Sequence, residues 1–195
     1  SEGALAALAV GLVVLIFFSG YKKIATGLVV LGVITILLVP ILRSAVMFKD
    51  KASHNRIILW SYSWDYLTKN TNNFISGAGL RQFYNKVQKP NHDWTVIERH
   101  IYPHNILLNF WLEIGLFGAI YFLGIFAYLI WLAHKIRGSD IIVGAVMLAI
   151  LAAMLVHGLV DVPYFKNDLA FIFWLITSYV VLSVQPGYFT RSSNS

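Results

Sequence analysis

Residues 106–132 read ILLNFWLEIGLFGAIYFLGIFAYLIWL, and the fold class turns on that run. Glu113 is its only charged residue, and the run outlasts the roughly 20 apolar residues needed to cross the hydrocarbon of a bilayer. Strands of a membrane barrel alternate polar with apolar side chains. This run does not, so it reads as a helix whose backbone groups are satisfied within the segment. Four further apolar runs, 3–18, 24–41, 141–159 and 169–184, read the same way, the first of them short. The sequence therefore predicts an all-α integral membrane protein with about five transmembrane helices.

Composition agrees. Of 195 residues 58% are hydrophobic and 12% charged, with mean hydropathy +0.69, whereas about a quarter of a soluble domain is charged. The net charge of +6 suits loops that orient spans and attract anionic head groups, so we assign membrane lipids and no nucleic acid as partners. The chain has no cysteine, which excludes disulfides and thiolate chemistry. Ser1-Glu2-Gly3 leads straight into an apolar run without a basic n-region or a small-residue cleavage site, so further transmembrane helices are expected upstream.

Lys22 and Lys23, between the first two runs, and His134, Lys135 and Arg137, between the third and fourth, place those connections in the cytoplasm. The long connection 42–103 and the short turn 161–168 then face outside. The chain divides into two transmembrane helices (1–41), an extracytoplasmic loop (42–103), three transmembrane helices (104–184) and a cytoplasmic tail (185–195) that carries Arg191. Pro40 is expected to end the second span. The loop holds nine of the fifteen Lys and Arg residues, Arg43, Lys49, Lys51, Arg56, Lys69, Arg81, Lys86, Lys89 and Arg99, against four acids. Such a surface is either a solvated basic face or a receptor for an anion. Residues 56–67, RIILWSYSWDYL, read as an amphipathic helix lying at the interface, and 70–79, NTNNFISGAG, as a loop.

Chemistry concentrates around 104–118, HNILLNFWLEIGLFG. Asn105, Asn109 and Glu113 recur every four residues and share one helix face. Glu113, deep in the span, must face the protein interior, where an interhelical hydrogen-bonding seam explains it as readily as catalysis. Gly115 and Gly118 read as packing glycines that admit a neighbouring helix. His104 stands at the outer end of its span, where an imidazole can take a proton from a hydroxyl. His157 and Asp161, four apart, are expected on one face of the fourth span at the same membrane surface. A metal site drawn from His54, His92, His100, His104 and Asp161 matches no known ligand spacing, and no nucleotide-binding loop or nucleophile elbow occurs. No metal or cofactor is assigned.

These residues carry a resemblance. His104-Asn105, then nine residues, then Gly115-Leu116-Phe117-Gly118 resembles the H[NSQ]x9GxxG pattern of the O-antigen ligase family, partly shared with the O-antigen polymerases. Arg56-Ile57-Ile58-Leu59-Trp60, followed by Gly77-Ala78-Gly79 before Phe83, is similar to the family's loop segment, and 157–163, HGLVDVP, to its last outer turn. The resemblance spans about 56–171. It implies a multi-pass enzyme of the bacterial inner membrane whose site faces the periplasm. Such an enzyme takes a glycan from undecaprenyl diphosphate and joins its reducing-end sugar to an acceptor hydroxyl, on a glycolipid or a growing polysaccharide, without metal or nucleotide. The family's loop Arg is carried onto Arg56 as a bidentate partner for diphosphate, and its His onto His104 as the base. Asn105, Arg81, Asp161 and His157 are assigned to substrate binding. A further family Arg lies in an earlier loop, and Arg43 does not match its surroundings. The alternatives are a polymerase of the same superfamily and a polytopic lipid-linked glycan transporter component, for which polar groups near mid-bilayer are expected.

Overall fold

In the computed structural model, which describes residues 2–47, 51–91, 97–162 and 167–183, all five apolar runs are helical and no strand occurs among the described residues. Lys49, His92, Pro163 and the tail 185–195 with Arg191 lie outside the described residues, and the turn 161–168 is described only at its ends. The helices are α1 (Glu2–Phe18), α2 (Lys22–Leu38), α3 (Pro40–Val46), α4 (Lys51–Thr68), α5 (Thr71–Ser76), α6 (Lys89–Asn91), α7 (Ile106–Ser139), α8 (Ile141–Gly158) and α9 (Asn167–Ser183), with a π-helical turn at Phe83–Gln88 before α6.

Two of them, α7 and α8, are long and apolar enough to cross a membrane, and the apolar helices Glu2–Phe18 and Ala170–Ser183 are shorter. Seventeen residues, as in α1 and α2, reach about 25 Å at 1.5 Å per residue, at the short end of what crosses a hydrocarbon core. Five full spans are therefore not established by helix length. Large apolar side chains nonetheless stay exposed along α1, α2, α7 and α9, as expected where the solvent is lipid.

The chain forms two compact units. The first comprises 2–30, 124–157 and 167–183. In it α1 crosses α8 at small residues: a Cβ on Gly11 would lie 3.2 Å from both Ala149 O and Ala153 Cβ, the close approach that substitutes for a hydrophobic drive in lipid. The Arg137 guanidinium donates to Phe18 O at 2.8 Å, satisfying a carbonyl at the end of α1. Asp140 caps α8 by accepting from the N–H groups of Ile142 and Val143, both at 3.0 Å. The α7–α8 connection is thereby a single residue, and His134, Lys135 and Arg137 belong to the last turns of α7 rather than to a loop.

The second unit comprises 31–47, 51–91, 97–123 and 158–162. Its core joins Leu59 and Leu67 of α4 to Ala78, Phe83, Val87, Ile97 and Leu112, with Tyr62, Tyr66 and Trp111 packed against them. The expected interfacial helix 56–67 is thus part of a longer helix that buries one face in protein. Burial pushes the Tyr66 phenol above its ordinary range.

Two local expectations are corrected here. Pro40 does not simply end a span. The α-helix stops at Leu38 and Pro40 opens α3, because at the first position of a helix the missing N–H has no partner to lose. Residues 70–79 are not all loop either. Asn70 Oδ1 accepts from Asn73 N–H at 2.8 Å and so caps α5, which Gly77 then ends at φ 70°.

Candidate functional site

Within α7 the helix is broken at Gly115, whose φ of 80° and ψ of 180° lie outside the helical region. A side chain there would run into Ile75 O, and one on Gly77 into the backbone of Trp111 and Leu112. The break turns the Leu112 carbonyl towards the neighbouring loop, where it accepts from Ala78 N–H at 2.6 Å and Gly79 N–H at 3.0 Å. Lys86 Nζ donates to Ala78 O at 2.7 Å, and Trp111 Nε1 donates to Phe74 O at 2.6 Å. Residues 75–79 and the stretch 111–115 around the break therefore interlock backbone to backbone. Gly115 is not the helix-packing glycine expected from sequence, and Gly118 packs against Ile114 of its own helix.

The break also changes the reading of Glu113. The part of α7 after Gly115, residues 116–139, is about 36 Å long at 1.5 Å per residue and can cross the hydrocarbon by itself. Glu113 stands before the break, where its Oε1 accepts from Arg81 N–H at 3.3 Å. It is not deep in an unbroken span. Arg81 holds φ 56°, and its side chain is exposed.

His104 lies in the non-helical segment just before α7 and holds φ 53°, an uncommon conformation for a residue other than glycine. Its Nδ1 is 3.3 Å from Asp161 Oδ1, and both side chains are 23% exposed. The Nε2 is 3.1 Å from Nδ1 of His100, and the Tyr102 ring packs edge-on at 4.8 Å. Two further contacts, made by Asn105 and Ile106, bring the end of α8 and the chain after it to this point. Asn105 Nδ2 donates to Leu159 O at 3.0 Å, and Asp161 Oδ1 also accepts from Val162 N–H at 2.7 Å. Gly158 leaves room for Ile106, whose Cγ2 would lie 2.7 Å from a Cβ placed there. Asn105 spends its other amide atom as well, its Oδ1 capping α7 at Leu108 N–H, 3.0 Å away.

Asp161 reaches His104 for a different reason than helical spacing supplies. Helix α8 ends at Gly158, so His157 and Asp161 do not share a helix face, and Asp161 belongs to the turn that follows. Arg56 is half-buried on α4 and, among the described residues, makes no hydrogen bond or ion pair. No hydrogen bond or ion pair among the described residues joins Arg56 or Arg81 to His104. One residue missed at the sequence level is Gln88. It is fully buried at the end of the π-helical turn, accepts from His100 N–H at 2.8 Å and donates to Glu98 O at 2.7 Å. An isolated Gln in a polar loop carries no signal that would have found it.

A basic nitrogen backed by a carboxylate, in a partly enclosed site at the end of a membrane helix, can take up a proton from a hydroxyl. No curated protein matches the chain, and no solved structure does. A family profile described as O-antigen ligase matches residues 1–123. That match takes in α4, the interlocked glycine loops, His104 and Asn105, and stops before the turn that carries Asp161. With most of its length inside that profile, this membrane protein belongs to the O-antigen ligase family.

Proposed function

We propose that the protein is a metal-independent glycosyl-transfer enzyme that moves a glycan from undecaprenyl diphosphate to an acceptor hydroxyl of a glycolipid, on the periplasmic face of the bacterial inner membrane. The observation that carries this reading is His104, held between Asp161 and His100 ahead of α7 in a chain of this family. Asp161 accepting from Nδ1–H assigns the tautomer in which Nε2 is the base. Proton removal there makes the acceptor oxygen nucleophilic as it attacks the anomeric carbon. The leaving diphosphate needs positive charge, and Arg56, which has no partner among the described residues, supplies a planar guanidinium suited to two phosphate oxygens. Arg81 and the other cations of 42–103 add a field that gathers the anion. Asn105 supports the site by holding α7 and the 158–162 turn together. His157 is retained as a substrate-binding residue on its position near that turn in sequence.

In a deletion strain carrying the full-length gene, His104→Ala and Arg56→Ala are each expected to abolish glycan transfer at unchanged membrane abundance, and Arg56→Lys to restore it poorly. Glycan gels read the result. Unchanged polymer on lipid in either alanine variant removes that residue from the site, and single-repeat bands in the deletion strain assign polymerisation instead of ligation.

A further inference from the structure

The position of His100 is not explained by a lone base. Its Nδ1 sits 3.1 Å from Nε2 of His104, the nitrogen that takes the proton, and the two rings meet edge to face at 81° with centroids 5.1 Å apart. The backbone of His100 is itself fixed. Buried Gln88 grips residue 98 by its carbonyl and residue 100 by its N–H, so that one side chain holds the segment at two points. A fully buried amide with both ends used is a costly way to order a surface segment, and what it orders is the ring against His104.

We propose that His100 is a proton-relay residue that acts through His104, and that Gln88 positions it; the proposal rests on His104 being the base of the transfer reaction. In the forward step the acceptor O–H bond breaks and its proton passes to His104 Nε2. The oxygen's electron pair forms the new bond to the anomeric carbon, and the pair of the old C–O bond departs with the diphosphate. His104 is then an imidazolium whose Nδ1–H faces Asp161 and whose Nε2–H faces His100. Nδ1 of His100, unprotonated in the starting tautomer, takes the Nε2 proton of His104 while the Nε2–H of His100 is released to water. Both rings are then neutral, and proton exchange with water returns His100 to the tautomer that leaves Nδ1 free for the next turnover. The hydroxyl and His100 thus address the same nitrogen in succession.

The test uses the full-length protein in membranes supplied with undecaprenyl-diphosphate-linked glycan, with turnover and donor KM measured separately. His100→Ala is expected to lower turnover roughly tenfold to a hundredfold, with donor KM unchanged, and free imidazole is expected to restore much of the loss. His100→Phe keeps the ring packing without a nitrogen and is expected to stay slow with or without imidazole. Gln88→Leu, which keeps the volume but not the grip, is expected to fall part of the way. Wild-type turnover in His100→Phe overturns the relay, as does an alanine variant that imidazole cannot rescue. His104→Ala separates the two ideas: an inactive His104→Ala beside a fully active His100→Phe sinks the relay alone, and an active His104→Ala sinks the reaction on which it rests.

Discussion

At the scale of single residues, the glycines differ sharply in what they tolerate. Gly115 and Gly77 combine positive φ with a neighbouring backbone where a Cβ would stand, whereas Gly79, at φ 97°, meets only Gln82 Cγ at 3.8 Å and Gly124 meets nothing within 4 Å. Backbone strain of this kind costs about 1–3 kcal/mol, and a collision with carbonyl groups adds to it because neither helix can shift without breaking hydrogen bonds. Thermal melts of detergent-solubilised protein are expected to rank the alanine variants accordingly. Gly115→Ala and Gly77→Ala should lower the midpoint most, Gly79→Ala by strain alone, and Gly124→Ala not at all. A Gly115→Ala variant as stable as the parent contradicts the break in α7. The sequence shows these glycines but not their kind: GxG and GxxG are compatible with packing, with turns and with a broken helix until the opposing backbone is known.

At the scale of elements, the decisive junction is the start of α7. One side chain, Asn105, caps the helix at Leu108 N–H and ties it to Leu159 O beyond α8. Losing an Asn cap costs about 1 kcal/mol. Asn105→Ala is therefore expected to lower stability by about that much and to reduce transfer further than stability alone explains, since His104 and Asp161 then lose their shared anchor. Asn105→Ser, able to cap but too short to reach the Leu159 carbonyl, should keep the stability and lose part of the transfer. Equal transfer in all three proteins dissociates the junction from catalysis. The helices themselves were legible, since the five apolar runs are helical apart from a break at Val39. Their ends were not: α4 begins at Lys51 rather than Arg56, and α7 runs on to Ser139 rather than stopping at Leu132. The Asn70 cap of α5 was present in the sequence as well, but an Asn-rich segment signals a cap and a loop with the same residues.

At the scale of the whole molecule, the reading requires 42–103 on the outer side and the α7–α8 turn on the inner side. The absence of cysteine from these 195 residues makes the test direct, because each introduced thiol is the only one in this segment. Lys69→Cys and Asn85→Cys, both exposed, are expected to react with a membrane-impermeant maleimide in cells whose outer membrane is opened, and Lys135→Cys only after the inner membrane is breached. The opposite pattern places the site in the cytosol, where the periplasmic reaction proposed here does not operate. Charge bias near short turns supplied this orientation without any tertiary information, since the rule acts on each span as it inserts.

Membrane residence and helical class were determined by the sequence alone, because hydrophobic length is a local property and a bilayer leaves helices as the way for such runs to satisfy their backbone. The motif residues His104, Asn105 and Arg56 were visible through the family resemblance, whose patterns are short and local in the chain. Only the tertiary structure decided that Asp161, 57 residues away, faces His104 from a turn rather than a helix, that Gly115 breaks α7 against the 77–79 loop, and that Gln88 delivers His100. Each of these depends on two segments distant in sequence competing for one space or one hydrogen bond, and periodicity along a single segment holds no record of its partner.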